Sequence, residues 1–145
     1  MFLDLNSDGI KDSDEPSVRT GSDGSYTLTT SSSNFTIVAI SDDTTIDTSS
    51  GTVMSGITLK APSGATVVTP TTTLMKEGDL TAAQVATVLG LPSGVDPTSF
   101  NPYASGVDAT KALAVEKVSQ QLMSVVNSFA ASAEGAGASQ ANAFT

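Results

Sequence analysis

Apolar and polar residues alternate through the first half of the chain, and the period changes near Pro70. Phe2 to Leu5 reads as the start of a strand, and Ser25 to Thr30 alternates with β-prone residues. Asn34 to Ser41 is the most apolar stretch of this half. Phe35, Ile37 and Ala39 fall on one face of it and Val38 and Ile40 on the other, which predicts a central strand covered on both sides. Val53 to Leu59 and Ala65 to Thr69 predict two more strands, with a turn at Pro62, Ser63 and Gly64 between them. The polar stretch from Asp42 to Gly51 reads as a solvated loop, with Asp42, Asp43 and Asp47 as a weaker candidate for a second cation site.

After Pro70 the pattern becomes helical. Thr81 at N-cap with Gln84 three residues on makes a capping box, and Leu80 and Val85 are spaced for a hydrophobic staple. Gly90 ends that helix and Pro92 follows it. Asp96 to Tyr103 carries two prolines and reads as an extended connector. A long helix is expected from about Asp108 to about Ala133. Its stripe of Val115, Val118, Leu122, Val125 and Phe129 is expected to pack on the chain's own core, the alternative being a helical partner in another chain or module. From Gly135 onward, small residues predominate as in a linker or frayed end. These changes divide the chain into a β part (1–69), a helical part (70–134) and a flexible tail (135–145), with no internal repeat.

The densest chemistry lies between Asp4 and Glu15. Oxygen donors fall at loop positions one, three, five, nine and twelve, as Asp4, Asn6, Asp8, Asp12 and Glu15. Gly9 stands at position six, where the chain must turn, and Ile10 offers its carbonyl at position seven. This is the spacing with which an EF-hand-type loop surrounds Ca²⁺ in hard oxygen ligands. The competing explanation is a solvated acidic turn, because Asp, Asn, Gly and Ser dominate turns in any case.

The flanks are not those of a helix-loop-helix. Only Met1, Phe2 and Leu3 precede the loop, and Pro16 keeps Glu15 out of the α region. The order is strand, D-x-N-x-D-G-x-x-D-x-x-E-P, then Ser22, Asp23, Gly24, Ser25 and Tyr26 and a further strand. It resembles the calcium-binding B-type repeats of bacterial surface adhesins and the related carboxypeptidase-regulatory-like β-sandwich modules. The resemblance covers roughly the first 70 residues and departs from the family at Ser22, where Asp is frequent. It implies a secreted, non-enzymatic module in which Ca²⁺ stiffens the polypeptide. Asp23 is left either to complete the ion site or to shape a turn. Residues 68–74 and the segments after them resemble a helical part that follows such repeats in large secreted bacterial proteins, and imply no activity.

Composition narrows the possibilities further. The 145 residues carry a net charge of -9, from 15 acids against 6 bases. An acidic chain is a poor partner for nucleic acid or an anionic membrane surface, since both need a basic face. No apolar run approaches the roughly 18 residues of a spanning helix, and Met1 reads as an initiator added to a fragment of a longer protein. With no Cys there is no disulfide, and a structural metal is a reasonable substitute for a small core. With no His and no Cys, the nucleophilic triads and dyads and the usual zinc sites cannot be built. Lys60 in an apolar strand raises a Lys-to-Asn/Asp cross-link, against which a solvated strand-edge charge is the simpler account. Asp96-Pro97 raises autocleavage, which a turn dipeptide explains without chemistry.

The sequence therefore predicts an α+β chain with an N-terminal antiparallel β-sandwich-like part, a strand-framed calcium loop and C-terminal helices. The expected function is that of a structural, non-enzymatic Ca²⁺-binding module of a large secreted or cell-surface bacterial protein, adhesin-like. Its expected partners are the ion and neighbouring modules of the same polypeptide, with self-association possible through the long helix. The alternative is a dockerin-like, calcium-dependent protein-binding module. Dockerins need two loop-helix copies, and here one loop is followed by a strand.

Overall fold

The computed structural model describes residues 1–46 and 51–135, with side chains described as far as residue 124. Three strands, β1 (Phe2–Asp4), β2 (Thr36–Ile40) and β3 (Thr58–Pro62), form one antiparallel sheet in the order β1-β2-β3. Three helices follow, α1 (Pro70–Gly78), α2 (Ala82–Leu89) and α3 (Ala109–Gly135). The class is α+β, as the change of period at Pro70 indicates.

β2 is central because its β-branched, apolar residues suit a surface buried on both sides. Leu3, Ile37 and Ala61 stand opposite one another across the three strands and, with Ala65, form the core cluster. Met1, Leu28, Phe35 and Val68 pack around that cluster. The other face carries Phe2 and Val38, both buried, and then Lys60. Coverage fades toward the end of β2, where Ile40 is 54% exposed.

The predicted sandwich is replaced by this single sheet among the described residues. Ser25 to Thr30 keeps its alternation but pairs with no strand; Leu28 packs on the core and the Tyr26 hydroxyl donates to the Thr66 carbonyl (3.2 Å). Ala65 to Thr69 is not a strand because its amides are used elsewhere. Those of Thr66 and Val67 donate to the Thr98 carbonyl, and that of Thr69 to Thr72 Oγ1. The strand expected over Val53 to Leu59 is interrupted by Gly56 at φ 73°, so Val53 makes only an isolated bridge to Ile46 and β3 starts at Thr58. Ser63 and Gly64 turn as expected.

α1 was not foreseen, since three successive threonines are weak helix formers. Thr69 caps it, Pro70 occupies the first turn, and Thr72 closes a capping box in the place of the usual Glu or Gln. The same threonines cover the outer edge of β3. Lys60 N–H donates to Thr73 Oγ1 (2.9 Å), while the hydroxyls of Thr72 and Thr73 donate to the Lys60 carbonyl (2.8 and 3.2 Å). Lys60 Nζ meets Glu77 Oε1 at 2.6 Å. The helical part is thus joined directly to the sheet.

α2 follows the sequence closely: Thr81 caps it with Gln84 in the box, and Gly90 ends it in the left-handed region at φ 64°. Replacing Thr81 by Ala is expected to lower stability by about 1 kcal/mol, read as a shift in the urea midpoint.

α3 packs chiefly on α1. Val115 reaches the chain's own core, whereas Val118 and Leu122 are only half-buried. The side chains of Val125 and Phe129, and the tail from residue 136, lie outside the described residues. No helix among the described residues is long and apolar enough to cross a membrane.

Candidate metal centre

The loop begins where β1 ends. Asp4 closes the strand with its side chain 3% exposed, and its two oxygens accept from Ser7 N–H (2.6 Å) and Gly9 N–H (2.8 Å). That wrap needs a sharp turn, and Gly9 sits at φ 75° as its place at position six predicts. Ser7 also adopts a left-handed conformation, at φ 64°, which nothing in the sequence indicated.

Inside the loop, Asp8 Oδ1 accepts from Ile10 N–H at 2.8 Å, and Asn6 Oδ1 accepts from Asp8 N–H at 3.1 Å. Asn6 Nδ2 donates to both Asp8 Oδ2 (3.1 Å) and Asp12 Oδ2 (3.0 Å). The fold therefore brings Asn6, Asp8 and Asp12 together, with the Asn6 amide as the donor on which the two carboxylates converge. The Ile10 side chain points to solvent, 66% exposed.

Glu15, at position twelve, is 5% exposed and fastens the loop across its base. Its Oε1 accepts from Leu5 N–H (2.7 Å) and its Oε2 from Asp12 N–H (3.0 Å). A turn from Asp12 to Glu15, closed by a 3.3 Å backbone bond, presents the carboxylate inward while Asp14 stays exposed. The chain then runs back beside β1. Leu3 N–H donates to the Pro16 carbonyl (3.0 Å), Val18 N–H to the Met1 carbonyl (2.8 Å), and Phe2 bridges Ser17. The loop is thus framed on both sides by extended chain.

The donors are carboxylates, one amide and a backbone carbonyl, which suit Ca²⁺ in kind. A carboxylate has about four acceptor positions, so the N–H contacts to Asp4, Asp8 and Glu15 leave lone pairs free for an ion. Asp4, Asn6, Asp8, Asp12 and Glu15, with the Ile10 carbonyl, are the groups that would hold it. Among the described residues, however, no three acidic side chains gather closely enough to hold a metal. Asp4 and Glu15 are engaged by backbone amides, and the Asn6 amide lies between Asp8 and Asp12.

The other sequence candidates have partners that explain them. Asp23 Oδ1 accepts from the amide and hydroxyl of Ser25 (3.0 and 2.6 Å) in a tight turn closed by Gly21. Those contacts hold its carboxyl below its usual pKa. Asp42 accepts from Thr44 and from Arg19 (2.7 Å), and with Thr44 as the larger cause its pKa falls well below the carboxylate range. It is therefore committed within its own loop; Asp47 lies outside the described residues. Lys60 is not a solvated edge charge. Its head is 14% exposed and paired with Glu77. Asp96 Oδ1 accepts from Thr98 N–H and Oγ1, the geometry of a turn. A groove lined by Tyr26, Phe100, Tyr103 and Val115 among others includes no residue of the loop.

The stitching of the loop by Glu15 was missed in the sequence. Its partners are the amides of Leu5 and Asp12, and a backbone N–H carries no signature of residue type. No family model matches the chain, and neither a curated protein nor a solved structure matches it.

Proposed function

We propose that the chain is a non-enzymatic, structural Ca²⁺-binding module of a large secreted or cell-surface bacterial protein of the adhesin kind, in which the ion tightens the fold between neighbouring modules. One observation carries this reading. The loop with the five-donor spacing is built into the sheet, since Asp4 belongs to β1 and Glu15 fastens the chain that returns beside it. An ion held by both ends would lock two extended segments together. The dockerin-like alternative has less behind it, because the chain leaving the loop pairs with β1 and enters no helix.

Calorimetric titration tests the proposal. One Ca²⁺ is expected to bind, and Mg²⁺ much more weakly because it demands a tight octahedral shell. Asp8→Ala and Glu15→Ala are expected to weaken binding most, Asp12→Ala less because position nine often acts through water, and Asp14→Ala hardly at all. A larger loss for Asp14→Ala than for Glu15→Ala would show the register of donors to be wrong.

A further inference from the structure

One strand-like segment of the chain lacks a neighbour. Ser25 to Thr30 contains no turn or bend, and its burial alternates as a strand's does: Tyr26, Leu28 and Thr30 are half-buried, whereas Thr27 and Thr29 are exposed. Local contacts hold it in place. Asp23 anchors its start through the Ser25 amide and hydroxyl, the Tyr26 hydroxyl donates to the Thr66 carbonyl, and Leu28 packs against the core cluster. Yet the main-chain N–H and C=O groups of Tyr26 to Thr30 have no hydrogen-bond partner among the described residues. Buried backbone groups are almost always paired, so groups left unpaired in this way face water. The β3 edge, by contrast, is filled by the Thr72 and Thr73 hydroxyls. Residues that commonly blunt an open edge are also missing, for no Lys or Pro lies between Ser25 and Asn34.

We infer that Ser25 to Thr30 is a dimerisation strand, which pairs antiparallel with the same segment of a second copy of this chain about a two-fold axis at Leu28. A pair centred there sets Leu28 opposite Leu28, Thr27 opposite Thr29 and Tyr26 opposite Thr30. Thr–Thr and aromatic–β-branched combinations are among the favourable cross-strand pairs, and this register contains each of them twice. The axis also keeps the half-buried face of both strands on one side of the ribbon, with Thr27 and Thr29 on the other. A second copy thus supplies a matching strand that is β-prone and complementary in register. Charge agrees with this choice. Each copy carries a net charge of -9, so two copies repel unless they meet where charge is absent. Gly24 to Ser41 is the longest run of the chain without a charged side chain, and Asp23, at its border, falls opposite Ser33. The segment is already ordered by its own fold, which lowers the entropy cost of pairing. No residue from Asp4 to Glu15 takes part, so the pairing is independent of Ca²⁺.

Sedimentation equilibrium of the full chain over a wide concentration range tests the pairing. A reversible monomer–dimer equilibrium is expected. Thr27→Lys and Thr29→Lys together set like charges opposite each other twice, which is expected to raise the dimer dissociation constant roughly tenfold or more. Both positions are exposed, so the urea midpoint of the monomer should not move. Mixing that variant with one carrying Thr27→Glu and Thr29→Glu should restore association, as a heterodimer. In the unaltered chain, amide exchange between Tyr26 and Thr30 should slow as protein concentration rises, a readout that needs no variant to fold. A chain that is monomeric at every concentration overturns the inference. So does a dimer indifferent to the lysine pair, a lysine–glutamate mixture that stays monomeric, or exchange over this segment that is independent of concentration.

Discussion

In millimolar Ca²⁺ the chain is expected to melt roughly 10–15 °C above its midpoint in chelator. An ion that binds the native state alone contributes about 4 kcal/mol when its free concentration is ~1,000 times Kd. The physical basis is local. Asp4 and Glu15 are buried carboxylates at the two ends of the loop, satisfied only by backbone amides, and three more acids lie between them. A divalent cation offsets that charge where solvent reaches it least. Scanning calorimetry at two protein concentrations, with Ca²⁺, Mg²⁺ and chelator, measures the shift. Superimposable curves in Ca²⁺ and chelator would remove calcium from any account of this fold.

Phe2→Ala is expected to cost about 3–5 kcal/mol, the range for deleting a buried aromatic ring. Phe2 is 3% exposed, on the same face as Val38, and is one of only three residues that seat β1 on β2. Its loss should also weaken Ca²⁺ binding, because Asp4 then sits on a strand that is no longer docked. Urea unfolding gives the first quantity and calorimetric titration the second. A loss of stability below about 1 kcal/mol, typical of surface positions, would mean that β1 is not part of the core. Leu122→Ala should cost less than Phe2→Ala, since Leu122 is only half-buried.

Both expectations depend on one coupling. The loop occupies the connection between β1 and the segment that pairs beside it, so changes in ligand charge and changes in strand packing act on the same equilibrium. Mutations at the two places should therefore be non-additive, as is usual for residues that share partners.

Much of the local structure was legible in the sequence because its causes lie within a few residues. Gly9 turns at position six because a residue free to adopt positive φ stands there. Thr81, Gln84 and Gly90 delimit α2 because capping groups and the left-handed end act over one turn. The alternation of Ile37, Val38 and Ala39 identified the central strand by the period of the pleat. The order of loop donors could likewise be read directly. Tertiary structure decided what those pieces do together. Ser25 to Thr30 has the alternation of a strand but pairs with none, and Thr98 accepts from two of the amides that Ala65 to Thr69 would have needed. Thr71, Thr72 and Thr73 oppose a helix by propensity, and the burial of all three, with Thr72 and Thr73 bonded to the β3 edge, overrides it. Glu15 reads as an ion ligand from its spacing, yet its stitching of Leu5 and Asp12 follows only from the path of the backbone. Hydrogen-bond partners distant along the chain, and the competition for each amide, are set by the assembled fold and leave no mark at the residue itself.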